Sequence, residues 1–380
     1  MKNFDIIILG CGAAGAMCAL SCKNKNFAVI DVATKPAKKL LVTGNGRCNL
    51  TNKTVNSSFY NTNIDTYLNK FDNKKTLQFF ENFGLETYAD EEGRVYPISN
   101  SAKSVVDVIS QKLNSANLFF GQKIVSVKRE NGGFVVETDK DVFKSAKLVV
   151  TTGGKSFPIL DDLGVKYNKF TPSLVALKAK NTRDLNGIKI SDVKVTVKNK
   201  FGTKSEEGEI LFKEEGVSGI VIFNLSTLFS RNKDFSGKIE IDMLPKLGEE
   251  EIFAKLLKRK NLNVFGDKFF VGMFQNAVAN EIFKQAKLNT NKTVKEFSDK
   301  EIEKMAKTIK NLTFDIFGCY DNNQVFSGGV KLEDLTQNLE SKQIKNLFFC
   351  GEIVDVDGVC GGYNLQWAWT SGHIVGENVW

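Results

Sequence analysis

The sequence holds a single histidine, His373, in 380 residues. A metal site built from histidines is therefore excluded, and histidine catalysis can rest on this one residue only. It follows Tyr363 by ten positions on a helical stretch, where a helix-face histidine satisfied by local contacts is the expected role. Seven cysteines stand at 11, 18, 22, 48, 319, 350 and 360, an odd number with no Cys-x-x-Cys. This pattern argues against a disulfide framework, a zinc site and a dithiol relay. Cys18 and Cys22 are four apart on one helix face and are expected to pack as small apolar groups. No apolar run approaches the ~18 residues of a membrane span. No charged segment followed by an apolar stretch precedes the first strand. A cytoplasmic chain with no membrane partner and no metal is the expectation. A Gly-x-x-x-x-Gly-Lys-Ser/Thr loop is missing too, which leaves a nucleotide hydrolase unsupported.

Charge is plentiful but not clustered. Lys and Arg number 52 against 44 Asp and Glu, a formal charge of +8. Such a balance favours anionic cofactors or nucleic acid. However, no run of five like charges occurs, and basic residues are not interleaved with aromatics in an RNA-reading motif. A Lys-rich solvated surface accounts for the excess, and a nucleic-acid partner is not expected. Hydrophobic residues make up 42% and charged residues 25%, ordinary globular usage. The length allows two or three domains, and 30 phenylalanines point to aromatic cores.

What is present begins at once. Phe4 to Leu9 reads as a buried strand, Gly10-Cys11-Gly12-Ala13-Ala14-Gly15 follows, Ala16 to Lys23 reads as a helix, and Phe27 to Asp31 as a second strand ending in an acid. This is a dinucleotide-binding fingerprint in its required setting. Gly10 permits the tight turn, Gly12 lets the backbone touch a pyrophosphate, and Gly15 lets the helix lie close on the strand. The helix N-terminus offers unpaired N–H groups to the phosphates. Asp31, 16 residues past Gly15, stands where a ribose hydroxyl pair would be held. No second such fingerprint occurs, so no dedicated nicotinamide domain is expected.

Further along, Asn73 to Phe83 and Ser101 to Leu113 show helical spacing, the latter with a serine cap. Glu86 to Pro97 reads as a strand pair turned at Glu91-Glu92-Gly93. From Leu118 to Val150 the period is two, an antiparallel meander returning to the parallel sheet. Residues 175 to 245 read as strands, including Val193 to Lys198, Ile220 to Phe223 and Ile239 to Ile241. Residues 249 to 310 are helical, with Asp299 as an expected N-cap. Leu347 to Cys350 is a buried strand, followed by Gly351-Glu352, the turn Asp355 to Gly362, and a last helix from Tyr363 to Glu377. Trp367 and Trp369, two apart on that helix, cannot face the same way, so one of them is expected in the core. The two chain ends thus form one domain with the middle inserted. The last helix can aim its N-terminus at the ring system of a bound cofactor, where its dipole favours negative charge. Glu352 is placed to hold a ribityl hydroxyl, and Gly361 and Gly362 to let N–H groups approach. A glycine-rich loop that merely caps a strand fits this segment equally well.

Lys39-Leu-Leu-Val-Thr-Gly-Asn-Gly-Arg-Cys-Asn-Leu-Thr-Asn52 resembles the signature loop of the HI0933-like flavoproteins, also called BaiN-like NAD(P)/FAD-dependent oxidoreductases. Leu211-Phe-Lys-Glu-Glu-Gly-Val-Ser-Gly219, Gly328-Gly-Val330, and Ser341-Lys342 through Gly351 to Trp369 resemble the same family. The resemblance implies an α/β fold: a glutathione-reductase-type, FAD-binding Rossmann-like domain with an inserted β-rich domain and a small helical domain. The boundaries read as 1–175 plus 325–380, then 176–248 plus 311–324, then 249–310. The resemblance also implies FAD, rather than NAD, at Gly10, Gly12, Ala13, Ala14 and Gly15. Asp31 takes the adenosine-ribose role, where a glutamate is more usual. Lys39, Gly46, Arg47, Cys48 and Asn49 would line the dinucleotide, with Arg47 as a charge partner for the pyrophosphate. Thr152, Gly153 and Gly154 match a second contacting turn. Gly351, Glu352, Asp357, Gly361, Gly362, Tyr363 and Asn364 match the segment beside the flavin. The segment from Lys155 to Phe170 is shorter than the family's and lacks its Gly-His ending. Cys360 replaces a residue that is commonly threonine, and a small buried filler is expected there.

These readings lead to an FAD-dependent oxidoreductase that moves a hydride or two electrons between flavin and a small organic substrate, with NAD(P)H or O₂ as redox partner. NAD(P)H would be a transient electron donor. Catalytic residues are not assigned; Tyr363 and Asn364 at the helix start are the candidates. The alternative is a flavoprotein that binds or modifies RNA, and a third is a non-catalytic flavin scaffold. Oligomeric state is open.

Overall fold

The computed structural model describes residues 1–24, 26–113, 117–155 and 157–380, with backbone only at 155 and 157. From the N-terminus come β1 (Lys2–Leu9), α1 (Ala13–Ser21), β2 (Phe27–Asp31), β3 (Thr51–Asn52), α2 (Asp65–Leu68), α3 (Asn73–Glu81), β4 (Thr87–Ala89), β5 (Arg94–Pro97) and α4 (Ala102–Lys112). Then follow β6 (Leu118–Phe120), β7 (Ile124–Glu130), β8 (Gly133–Thr138), β9 (Val142–Val150), α5 (Phe157–Asp162) and β10 (Asn168–Ser173). The middle carries β11 (Leu177–Ala179), β12 (Lys189–Asn199), β13 (Gly202–Lys213), β14 (Gly216–Ser218), α6 (Ile220–Asn232), β15 (Gly237–Asp242), α7 (Glu249–Arg259), α8 (Asn276–Ala286), α9 (Asp299–Lys310) and β16 (Leu312–Cys319). The chain ends with β17 (Val325–Gly329), β18 (Leu347–Phe349) and α10 (Tyr363–Asn378). It divides into two compact units, Met1–Thr171 with Val325–Trp380, and Pro172–Gln324.

In the first unit the main sheet runs β6-β2-β1-β9-β8-β7, with β18 also on β9. β1 is parallel to β2 and β9, and β18 is parallel to β9. The meander joins this sheet because β9 changes partners along its length. Residues 142 to 145 pair antiparallel with β8, and residues 148 to 150 pair parallel with β18. Ile6, Ile7, Ile8 and Leu9 are all fully buried. A strand covered on both faces needs such an unbroken apolar run. In the same unit β3, β5 and β4 form a small antiparallel sheet.

The second unit is a closed barrel, β11-β14-β13-β12-β15-β16. Val193, Val195 and Val197 of β12 alternate inward, and with Ile210, Phe212, Ile239 and Ile241 they belong to one core that also takes in Ile252, Leu256, Ile282 and Ile302 of the helices. Residues 249 to 310 lie in the same compact unit as the barrel.

Three local expectations are corrected. Ile220 to Phe223 is the first turn of α6, not a strand. Four successive apolar residues carry no period; the buried set Val221, Ile222, Leu225 and Phe229 has helical spacing, and Gly219, at φ 115°, ends the preceding strand. Ser298, not Asp299, caps α9, by a capping box with Glu301. Ser101 holds the N-cap position of α4, but its side chain makes no capping hydrogen bond. Among the described residues, no helix is long and apolar enough to cross a membrane, and no three metal-ligating side chains gather.

Candidate functional site

The β1–α1 turn is built as the fingerprint requires. Gly10 has φ 96°, and its N–H donates to Ile30 O at 2.8 Å. A Cβ on Gly15 would stand 2.0 Å from Gly10 O, so the helix lies directly on the turn. The Thr151 hydroxyl closes the turn from β9's end by donating to Leu9 O and Gly10 O. Gly12 differs from both. Its φ of −70° suits any residue, and a Cβ there would meet nothing within 4 Å. Neither backbone strain nor packing requires glycine at this position. What remains is room for a group outside the chain, at the N-terminus of a helix. Ala13 and Ala14 open that helix with no acidic side chain in the first turn.

The Asp31 carboxylate already works within the turn. One oxygen accepts from Cys11 N and the other from Ala33 N at 2.6 Å. A carboxylate has further lone pairs to offer a ribose. The Cys11 thiol is buried and its pKa is raised, by burial first and then by the Asp31 charge.

The 38–52 loop coils in two short helical turns separated at Thr43, Gly44 and Asn45. The Arg47 guanidinium lies 4.2 Å over the Tyr96 ring, and its Nε donates to Gly44 O at 3.4 Å. Cys48 is fully buried, and burial pushes its thiol pKa up to about 12, so its side chain is a core filler. The Asn49 amide, with its oxygen toward Gly362 N at 3.0 Å and its nitrogen donating to Thr51 O at 2.9 Å, ties the loop to the start of α10. A Cβ on Gly153 would meet Glu352 Oε2 at 2.9 Å and Lys39 Nζ at 3.9 Å, so these three residues converge. Glu352 accepts from Gly154 N at 3.2 Å and from Phe326 N at 2.8 Å. Thr152 Oγ1 is buried and has no hydrogen-bond partner among the described residues.

At the other end, Gly361 and Gly362 turn into α10 with φ 129° and 98°. A Cβ on Gly362 would strike Thr51 at 2.5 Å. The Asn364 amide grips this turn through Gly358 N at 2.9 Å and Gly358 O at 2.8 Å, so it positions the loop. Tyr363 is stacked on Phe59 at 4.4 Å and meets Tyr60 edge-on; burial raises its phenol pKa. Asp357 accepts from Ser327 Oγ, and Gly351 N donates to Ser371 Oγ. Cys360, in the turn before α10, is half-buried rather than a fully buried filler. Both tryptophans are core residues, which corrects the expectation of one. Trp367 Nε1 donates to Gly351 O and Trp369 Nε1 to Leu50 O, on different sides of the helix. His373 is a satisfied helix-face residue, with Nδ1 2.9 Å from Ser21 Oγ and its ring stacked on Phe71.

Sequence reasoning missed several positioning residues. Asn52 Nδ2 donates to Gly361 O, Asn61 Oδ1 accepts from Asp357 N, and Tyr60 Oη donates to Tyr363 O. The buried Gln366 joins Thr51, Thr76 and Thr370. The only sequence signal was the density of Asn and Thr in the 39–52 loop.

α10 runs parallel to α1, since Gly372 touches Ala14 and Gly376 touches Cys18. At the level of Ala14, α1 has just begun, whereas Gly372 is nine residues into α10. At the helical rise per residue, the two N-termini are offset by about 12 Å along their common direction. One end suits a pyrophosphate, and the other suits a ring system further along the same extended molecule. The open face at Gly12, the orphaned Thr152 hydroxyl and this offset fit FAD.

The chain is similar to proteins already known. The family model described as HI0933-like protein Rossmann domain matches residues 4–378. A protein of Clostridium scindens named 3-dehydro-bile acid delta(4,6)-reductase is 28% identical over 406 residues, covering 97% of each chain. Proteins named ribosomal RNA dihydrouridine synthase are each 25% identical. The Escherichia coli one aligns over 98% of this chain and 96% of its own, and the Haemophilus influenzae one over 97% and 96%. With a family model spanning nearly its whole length, the chain belongs to the HI0933-like family.

Proposed function

We propose that this FAD-dependent oxidoreductase reduces a carbon–carbon double bond conjugated to a carbonyl in a small organic substrate, taking its electrons from NAD(P)H. The observation that carries the reading is the pair of parallel helix N-termini, one open at Gly12 and one displaced along the same direction. Two relatives supply the reaction type. A delta(4,6)-reductase and a dihydrouridine synthase both, by their names, saturate double bonds. In a 3-oxo-4-ene and in uracil that bond is conjugated to a carbonyl, so its far carbon accepts hydride.

When bound, FAD supplies the hydride and stores two electrons between half-reactions. The chain's residues do the rest. The N–H groups of Gly12 to Gly15 bind the pyrophosphate, and Lys39 adds a positive charge. Asp31 holds the adenosine ribose and Glu352 the ribityl chain. The N-terminus of α10, at Gly361 to Asn364, favours the negative charge of the reduced ring. Phe59 and Tyr363 form an aromatic wall, and the Tyr363 hydroxyl, carried by the first residue of α10, is the candidate proton donor.

The test is anaerobic. NADH or NADPH should bleach the flavin band, and a conjugated enone, but not its saturated analogue, should restore it. A flavin that neither nucleotide reduces would refute the reductase reading. The second reading, in which uracil within RNA is the substrate, draws on the E. coli and H. influenzae relatives and on the +8 charge. It predicts reoxidation by RNA that weakens steeply with salt, where reoxidation by a small enone does not.

A further inference from the structure

The first unit is entered and left through one two-stranded ribbon. β10 carries the chain out, β17 brings it back, and the two strands pair. β17 contains Gly328-Gly329, and its geometry needs both glycines. A Cβ on Gly328 would stand 2.5 Å from Lys169 O of β10, and one on Gly329 would stand 2.4 Å from Ile353 O of the following loop. β17 is thus pressed between β10 and the segment that carries Glu352.

The same segment grips the ribbon with side chains. Glu352 Oε1 accepts from Phe326 N at 2.8 Å. Asp355 bridges both strands, as Oδ1 accepts from Gly328 N at 3.3 Å and Oδ2 from Asn168 Nδ2 at 2.7 Å. Asp357 accepts from Ser327 Oγ at 3.1 Å. Backbone bonds between Val330 and Ile353 and between Asp355 and Val330 complete the clamp. Glu352 reaches the cofactor turn as well, through Gly154 N. Gly154 in turn lies against the Phe326 ring, with no room for a Cβ.

From this arrangement we infer that Asp355 is a positioning residue for the cofactor site, and that cofactor binding and closure of the β10–β17 ribbon are thermodynamically linked through the 351–358 segment. The inference rests on the FAD reading above. A cofactor that fixes Glu352 also fixes Phe326 and so the returning strand. Linkage is reciprocal, so loosening the ribbon must weaken cofactor binding by the factor with which the cofactor tightens the ribbon.

The experiment measures FAD affinity by flavin fluorescence and amide hydrogen exchange with and without FAD. In the wild type, FAD should slow exchange at residues 168–171 and 326–330. Asp355→Ala and Asn168→Ala should each raise the FAD Kd about fivefold or more and reduce that protection. Asp355→Asn, which keeps an acceptor for Gly328 N and can still bond a turned Asn168 amide, should stay close to wild type. Unchanged exchange in β1 and β9 of the apo variants shows that the fold is intact. If the wild type binds FAD with no change in ribbon exchange, or if both alanine variants bind FAD as tightly as the wild type, the linkage is overturned while the flavin reading stands. A wild type that takes up no FAD overturns both.

Discussion

Gly372 of α10 lies so close to Ala14 of α1 that a Cβ on Gly372 would stand 2.4 Å from the Ala14 carbonyl oxygen. One turn further on, Gly376 meets Cys18 in the same way. These two contacts fix how far the last helix projects beyond the first, and hence the distance between the two helix N-termini that define the site.

Gly372→Val should therefore push the helices apart. The expected cost is about 1–3 kcal/mol of stability, typical of overpacking, together with loss of bound flavin. Urea unfolding and flavin content of the purified variant check both. A variant as stable and as yellow as the wild type would show that the close contact is not needed.

Gly12 and Gly15 should separate cofactor binding from folding. Gly12→Ala adds a methyl where nothing in the chain stands within 4 Å, so stability should hold while FAD affinity falls about tenfold or more, ~1.4 kcal/mol. Gly15→Ala places a Cβ 2.0 Å from Gly10 O and should destabilise the fold itself, by roughly 1–3 kcal/mol. Thermal unfolding of the apo proteins and FAD titration distinguish them. Equal effects of the two substitutions on folding would contradict this division.

The difference between these glycines also shows what could be read from the sequence. A glycine demanded by a positive φ or a close approach leaves a local pattern, so the first turn was legible. Ile220 to Phe223 was not, because four adjacent apolar residues fit a strand or a helix and only the later spacing of Leu225 and Phe229 decides. Asn52 and Gln366 were not legible either. Their partners, Gly361 and Thr51, lie 309 and 315 residues away in sequence, and no local rule points across such a gap. Both tryptophans are buried for a related reason, as Trp367 meets Tyr67 and Trp369 meets Phe80, each from an element distant in sequence.

His373 gives a pH dependence. Burial lowers its pKa below 6.5 in the folded chain. The unfolded state then binds a proton more readily, so stability falls as pH drops from above 6.5 toward the folded pKa, and recovers as pH rises. His373→Gln should lose less stability than the wild type between pH 7.5 and pH 5.5 (about one unit either side of the ordinary histidine value) by urea titration. Equal losses would rule the histidine out as a source of this dependence.

Tyr363 and Asn364 should behave differently although they are adjacent. Asn364→Ala frees the Gly358 loop and should raise the FAD Kd. Tyr363→Phe keeps the Phe59 stack, so flavin content should persist while the rate of substrate reduction falls. Rapid-reaction kinetics with a conjugated enone reads the latter, and an unchanged rate would remove the Tyr363 hydroxyl from the chemistry.

The central claim is that α1 and α10 together hold FAD. The most direct measurement is the flavin content of the purified chain after incubation with excess FAD and removal of the unbound cofactor. One FAD per chain in the wild type, and little in a Gly12→Ala variant of the same stability, is the predicted result. A colourless wild type under those conditions would contradict the account.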